Sequence, residues 1–174
     1  MSKLSTKTIQ YKVYDRTSGS AKFVEDTVTY TRPEIAMMTD GLSGSGIMGE
    51  IDMPTQGQLD SMEIELALNK TNERAIAMFA PGAHTAEVRW VTNVLDSATG
   101  TSKIQANKDI VKYLPKTLGL GDVENNETNE GSLAGEVISF QHIIDGKTVI
   151  KIDKLNNVFI INGKDYSSAI RAAL

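Results

Sequence analysis

Apolar and polar residues alternate along much of the chain, and a period of two is the pattern of a β-strand with one buried face. Ser61 to Leu68 is the clearest case, with methionine, isoleucine or leucine at every second position and serine, glutamate or alanine between them. This strand should bury its apolar face and expose an acidic one. Similar segments, rich in β-branched and aromatic residues, predict strands at Lys7 to Asp15, Lys22 to Arg32 and His84 to Leu95.

Further strands are predicted in the second half of the chain, where turn sequences separate them. Thr101 to Leu118 is less regular, and Pro115 indicates a sheet edge or a break, because proline cannot donate to a sheet ladder. Asp145-Gly146 is a strong signal of a tight hairpin and joins two of these strands. The other predicted strands are Leu133 to Ile144, Lys147 to Asp153 and Val158 to Ile161, the last ended by Asn162-Gly163.

Two segments carry helical signals. Asn72 to Phe79 is amphipathic, Thr71 can cap it and Pro81-Gly82 ends it, so we expect the main helix here. Tyr166 to Leu174 predicts a short C-terminal helix. About eight short strands with one flanking helix and one terminal helix indicate a mainly β fold, an antiparallel sandwich or barrel. At this length we expect residues 1–174 to form a single domain.

The net charge of −4 is concentrated in one segment. Gly119 to Glu136 carries five acidic residues and no basic residue, while 17 acidic and 18 basic residues lie elsewhere. The basic footprint of a nucleic-acid-binding protein is therefore absent. The chain has no cysteine, which excludes disulfides and cysteine-based metal or redox chemistry. It has no apolar run that could span a membrane and no signal-peptide pattern, so we expect a cytosolic protein or a non-secretory exit.

Gly44 to Gly49 reads GSGIMG and matches the GxGxxG pattern of dinucleotide-binding proteins. That pattern binds pyrophosphate because a strand leads into it and a helix leads out of it. Here residues 50–54 (EIDMP) follow, and their β-branched isoleucine and proline argue against a helix. The alternative of an NAD-dependent enzyme is therefore disfavoured, and a mobile or contact-forming loop is the better interpretation.

No other motif predicts a catalytic or metal site. The segment from Asp122 begins like a calcium loop but lacks the required glycine and the final glutamate. His84 and His142 have no suitably spaced partners, and Glu63 and Glu65 share a strand face with no concave setting. We therefore expect a protein that is not an enzyme and has no catalytic residue, no metal ligand and no cofactor.

Three blocks of the chain, in order, carry a resemblance to a known family. They are Gly44 to Leu66 (GSGIMGEIDMPTQGQLDSMEIEL), Asn72 to Thr85 (NERAIAMFAPGAHT) and Ile152 to Leu174 (IDKLNNVFIINGKDYSSAIRAAL), and Tyr11 to Asp15 fits as well. Together they resemble the major tail tube protein of contractile-tailed phages, the P2-like tube family. The acidic segment Gly119 to Gly131 matches that family only loosely.

The resemblance implies a structural subunit, a small β-sandwich that assembles into hexameric rings stacked into a hollow tail tube. The implied partners are further copies of itself, the tail sheath protein, the tape-measure protein, and baseplate and tail terminator proteins. Phage DNA would pass through the lumen as transient cargo during ejection, and the protein would belong to the virion tail, assembled in the bacterial host cytoplasm. Alternatively, the tube belongs to a contractile bacteriocin or a secretion-type injection machine that carries no genome.

Two sets of residues are predicted to matter in such a tube. A glycine-rich loop with apolar side chains loses entropy on ordering, so we expect it to order against a neighbouring copy, in the ring or in the stack. Its predicted contact residues are Gly44, Gly46, Ile47, Met48, Gly49, Glu50, Ile51, Asp52, Met53 and Pro54. Because basic side chains would hold DNA phosphates, a conduit favours neutral or acidic walls, and Ser61, Glu63 and Glu65 are predicted to face the lumen. Either the C-terminal helix or the loop Gly119 to Gly131 would face the sheath.

Overall fold

The computed structural model describes residues 3–174 and shows the mainly β, antiparallel fold that the alternation predicts. The described residues form twelve strands and two short helices. The strands are β1 (Lys3–Asp15), β2 (Lys22–Val24), β3 (Thr27–Thr31), β4 (Met37–Leu42), β5 (Ile51–Leu59), β6 (Glu63–Leu68), β7 (His84–Asp96), β8 (Ser102–Gly119), β9 (Gly131–Ile144), β10 (Lys147–Asp153), β11 (Val158–Ile161) and β12 (Lys164–Asp165). The helices are α1 (Glu73–Ala77) and α2 (Ser168–Ala173). Neither described helix is long and apolar enough to cross a membrane.

Ten strands belong to one sheet, in which eight follow the order β12-β11-β10-β9-β8-β7-β1-β2. β3 and β6 join this sheet through the pairing of β6 with β9. β9 connects the two parts, because residues 131–136 pair with β6 and residues 139–144 pair with β10 along the same edge, while the other edge pairs with β8. β4 and β5 pair with each other in a separate two-stranded sheet.

The core is built from alternate side chains of β6 and the strands that surround it. Met62, Ile64, Leu66 and Leu68 are only 1–2% exposed, which confirms the face predicted to be buried. Burial of one such side chain contributes about 1.5–3 kcal/mol relative to leaving it in water. The core cluster that contains Met62, Ile64 and Leu66 also contains Val13, Val88, Val111, Tyr113, Leu133, Val137 and Phe140.

One predicted strand differs from its pattern, and another is irregular at its proline as the sequence indicates. The segment predicted as one strand, Lys22 to Arg32, is two strands separated at Asp26, whose φ of 62° is incompatible with extended backbone. Pro115 lies in β8 beyond the end of the pairing with β7, which stops at Tyr113, so on that side the strand forms a local sheet edge as expected. The alternative of a break is confirmed as well, because the register with β9 shifts between Pro115 and Thr117 and proline is tolerated at such a bulge.

The helices are shorter than their patterns indicate. α1 spans five residues and is capped by Asn72 instead of Thr71, because the Asn72 side chain accepts the Ala75 N–H at 2.9 Å. Thr71 instead donates its hydroxyl to the Gly119 carbonyl at 3.3 Å and so ties this segment to the end of β8. α2 spans six residues, so the expectation that α1 is the main helix is wrong.

The turn dipeptides of the second half behave as their sequences predict. Asp145 and Gly146 have φ values of 46° and 80° and join β9 to β10 in a two-residue hairpin. Asn162 and Gly163 likewise have positive φ values, 50° and 83°. They end β11 as expected and then lead into the additional short strand β12, which the sequence pattern did not predict.

Candidate assembly surfaces

A β-hairpin outside the main sheet contains the glycine-rich stretch, and we call its residues 37–59 the arm. Among residues 3–174, β4 and β5 pair with no strand except each other. Across the arm Leu42 faces Ile51 and Asp40 faces Met53, and residues 43–50 form the turn. The structure thus puts Gly44, Gly46, Ile47, Met48, Gly49 and Glu50 in a hairpin turn, and Ile51, Asp52, Met53 and Pro54 in β5.

The turn explains two of the glycines of the GxGxxG match. Gly46 and Gly49 have φ values of 92° and 98°, which residues with a side chain rarely adopt. The Ile47 N–H donates to the Gly44 carbonyl at 3.1 Å and closes the turn locally. A strand, β5, follows instead of a helix, so the helix N-terminus that would hold a pyrophosphate is missing from this motif.

One face of the arm is mostly apolar and uncovered, with Asp40 as its charged member. Leu42, Ile51 and Met53 are 45–53% exposed, and the register puts all three on the same face of the hairpin. Met48 at the tip is fully exposed. Large apolar side chains that are contiguous and exposed mark interaction surfaces. The arm therefore presents a surface suited to another protein.

A buried polar network holds the segment that enters the arm. The Asp109 carboxylate is fully buried and accepts hydrogen bonds from Arg32 at 2.9 and 3.3 Å, from the Tyr30 hydroxyl at 3.2 Å and from His142 Nδ1 at 2.6 Å. Burial, and then the Asp109 charge, raise the pKa of Tyr30, so its hydroxyl stays protonated and donates. The Trp90 ring stacks on His142 at 5.6 Å and lies 5.1 Å from the Arg32 guanidinium. Arg32 stands between β3 and β4, so this network fixes where the arm starts.

The other end of the arm is fixed by packing. Leu59 packs against the core at the end of β5. Gly57 has a φ of 78° and lies against α2, where a side-chain β-carbon would come within 2.5 Å of Ile170 Cδ1. Both ends of the arm are therefore anchored, while its middle and tip have no cover within the described chain.

The exposed face of β6 carries less negative charge than its sequence suggests. Glu63 forms a 2.5 Å ion pair with Lys116 of β8, and Ser61, just before β6, donates its hydroxyl to Glu136 at 2.7 Å. Glu65 is exposed. Sequence reasoning missed Lys116 and Glu136, because they lie 53 and 75 positions from their partners and nothing in the local pattern indicates the pairing.

Glu136 joins the start of β6 to the end of β10. Its carboxylate accepts hydrogen bonds from Ser61, from the Met62 N–H at 3.2 Å and from Lys154 Nζ at 3.3 Å. Partial burial raises its pKa, but these hydrogen bonds and the Lys154 charge outweigh burial and hold the pKa below its usual value. The ionised form is therefore the one that the fold stabilises.

Replacement of Glu136 by glutamine should destabilise the protein by about 1 kcal/mol at pH 7 and by less in acid. Because the folded pKa is lowered, the stabilisation by Glu136 is present above the unfolded pKa and is lost as the pH falls through the folded value. Urea denaturation of wild type and Glu136→Gln between pH 7 and about pH 3 measures the difference. Glu65→Gln is the control and should stay within about 0.5 kcal/mol throughout. A Glu136→Gln deficit that does not change with pH would contradict the assignment.

Neither histidine is placed for catalysis. His84 is buried, with Nε2 at 2.7 Å from the Ala80 carbonyl and Nδ1 at 3.2 Å from the Thr17 hydroxyl, and His142 is bound to Asp109. Within residues 3–174, no group of three or more histidine or acidic side chains could hold a metal ion. The features that stand out are therefore surfaces instead of pockets with chemistry.

Comparisons with known proteins give one family match and several distant structural matches. A family model described as phage tail tube protein FII matches residues 17–174. No curated protein matches the chain. A chain from the cryo-EM structure of an extracellular contractile injection system, the PVC sheath/tube terminator in extended state, is 14% identical, with 79% of this chain and 94% of that chain covered and a TM-score of 0.46. A chain from the cryo-EM structure of the anti-feeding prophage (AFP) baseplate is 11% identical, with 80% and 97% covered and a TM-score of 0.48.

Proposed function

Because the chain belongs to the phage tail tube protein FII family, we propose that it is the repeating subunit of the inner tail tube of a contractile injection apparatus. Six copies form a ring, and the rings stack into a hollow tube. The tube lies inside a sheath protein, around a tape-measure protein, and between baseplate and terminator proteins. It is part of the virion tail and is assembled in the cytoplasm of the bacterial host.

The observation that supports this proposal most is the uncovered apolar face of the arm. Its two strands leave hydrogen-bonding edges and half-exposed leucine, isoleucine and methionine side chains without cover. Edges and apolar faces of this kind promote uncontrolled association unless a defined partner covers them. In the tube, residues 44–54 contact an adjacent subunit. Each subunit then gives its arm to one neighbour and receives the arm of another, which is the heterologous arrangement from which rings and open stacks are built.

Ser61, Glu63 and Glu65 line the lumen in this proposal. Lys116 neutralises Glu63, and Glu65 adds one negative charge, so this face has no net positive charge. A wall of that kind does not bind the phosphates that basic side chains would hold, so DNA slides through. In a contractile bacteriocin or a secretion-type machine the same tube would carry no genome, and capsid and terminase genes beside its gene would favour a phage.

The proposal is tested by assembly of the purified protein. At rising protein concentration, analytical ultracentrifugation should show a transition from small species to large ones, and negative-stain electron microscopy should show sixfold rings and tubes. A fragment of baseplate added as a nucleus should lower the concentration at which tubes appear. A protein that stays monomeric at high concentration, with and without the nucleus, would overturn the proposal.

A further inference from the structure

Three basic side chains form a row across the face of the sheet that points away from the core. Lys12 of β1 is paired with Arg89 of β7, and Arg89 is paired with Lys108 of β8, so the three residues lie side by side on adjacent strands. We call Lys12, Arg89 and Lys108 the basic row. It lines an open cavity of about 590 Å³ together with Tyr14 and Val91.

The positive charge of this face exceeds what its own acids neutralise. Glu87 is fully buried beneath the face and forms ion pairs with Arg16 and Arg89, the former at 2.6 Å. Burial raises the pKa of Glu87, but the hydrogen bonds and charges of Arg89 and Arg16 outweigh it, so the pKa is lowered and the carboxylate stays ionised. Glu87 neutralises one of its two arginine partners, so one positive charge remains. Lys12 and Lys108 add two more, because neither has a carboxylate partner within residues 3–174. The basic row is therefore a net positive surface.

The segment between β8 and β9 has the opposite character, and we call its residues 120–130 the acidic loop. Its four carboxylates are all exposed and none pairs with a basic side chain of the described chain. The loop also exposes 62% of Leu120 and 86% of Val123. The carboxylates are Asp122, Glu124, Glu127 and Glu130.

The acidic loop and the basic row of one subunit are far apart. The loop starts after Gly119, eleven positions along β8 from Lys108, which corresponds to about 36 Å at the rise of a strand. Half of the loop spans less than about 20 Å even when it is fully extended. The two surfaces therefore cannot meet within a subunit, and each is free to meet another copy.

We propose that the acidic loop of one subunit docks on the basic row of a neighbouring copy in the tube. Two properties of the surfaces favour this occupant: opposite charge, and exposed apolar side chains on both sides, Val123 in the loop and Phe23 beside Lys12. The contact joins two different surfaces, as a ring or stack requires. This inference rests on the proposed tube function and adds a second contact to that of the arm.

A charge exchange tests the contact. Lys12→Glu with Lys108→Glu, and separately Glu124→Lys with Glu127→Lys, should each raise the protein concentration needed for assembly at least about tenfold, because like charges then face each other. All four substitutions combined should return it to within about threefold of wild type. High salt should weaken wild-type assembly, because the contact is exposed to solvent. Sedimentation and negative-stain electron microscopy measure assembly, and circular dichroism confirms that each variant is folded.

The control pair is Lys103→Glu with Lys147→Glu, which changes the net charge equally. Their strand partners, Val94 and Ile144, belong to the opposite face of the sheet, so this variant should assemble like wild type. The inference is overturned if the variant with all four substitutions assembles no better than the two double variants from which it is built. It is also overturned if either of those double variants assembles like the control, which is the result expected if the loop faces the sheath. Failure of wild type to assemble at all would overturn the proposed function and this contact with it.

Discussion

Replacement of Leu42, Ile51 and Met53 together by serine should abolish tube assembly at concentrations at which the wild type assembles, while the subunit stays folded. These side chains lie on one face of the arm and are about half exposed. If each substitution removes about 1 kcal/mol of the free energy gained by burying the side chain against a neighbouring subunit, the concentration needed for assembly rises roughly 100-fold. Sedimentation measures assembly, and the urea midpoint reports the fold.

The control removes at least as much exposed apolar surface elsewhere. Ile76, Ile104 and Leu155 are 50–75% exposed and lie outside the arm. Their replacement by serine should change the assembly concentration less than about threefold, since no contact between copies is proposed for them. If the arm variant assembles as the control does, the arm does not carry the contact between subunits.

Replacement of Asp109 by alanine should lower the free energy of unfolding by about 3–5 kcal/mol, the largest effect on stability expected of any single polar residue here. The change leaves the Tyr30 hydroxyl, the Arg32 guanidinium and the His142 ring without the acceptor that all three share. Urea denaturation measures the loss. Asp109→Asn should lose less, because its amide oxygen still accepts one hydrogen bond.

Asp122→Ala provides the comparison for this experiment. Asp122 is exposed in the acidic loop, and its replacement should change stability by no more than about 0.5 kcal/mol. A loss below about 1 kcal/mol for Asp109→Ala would show that the network contributes little to the fold. Because Arg32 leads into β4, a destabilised Asp109 variant should also assemble less well than the wild type at equal concentration.

The positions of the strands that enclose the core could be predicted, because such strands have one buried face and one solvent-exposed face. In β6 every second residue is buried, so the period of two is directly visible in the sequence. The Asp145-Gly146 hairpin was also predictable, because its φ values are a local property of the two residues. Such signals depend on residues that are close in sequence, so they do not require knowledge of the tertiary structure.

The arm could not be recognised as a hairpin for the complementary reason. Both faces of β4 are exposed, so burial imposes no alternation on it. Gly41, Pro54 and Gly57 are residues that strands disfavour, yet they are tolerated in a ribbon that has no neighbouring strands to pack against. The glycines and apolar residues of this stretch indicate a contact-forming loop, whereas its pairing as a hairpin is visible only in the structure.

The polar networks were beyond prediction because their members are distant in sequence. Asp109 meets Arg32 across 77 positions and His142 across 33. Each residue alone reads as an ordinary surface or core position, and only the sheet order brings the three together. The same holds for the basic row, whose members come from three strands and form no cluster in the sequence.

The pairing of β1 with β7 also determines when the first strand finds its partner. β1 ends at Asp15, and β7, on which it pairs, ends at Asp96. At about 5–20 residues per second, a ribosome that makes this chain leaves β1 without its main partner for roughly 4–16 s. An unpaired β1 strand can pair with the β1 strand of another nascent chain. Lysine side chains on the strand oppose this pairing because their charges repel each other. Lys3, Lys7 and Lys12 are all exposed, so three positive charges on β1 oppose this pairing during synthesis.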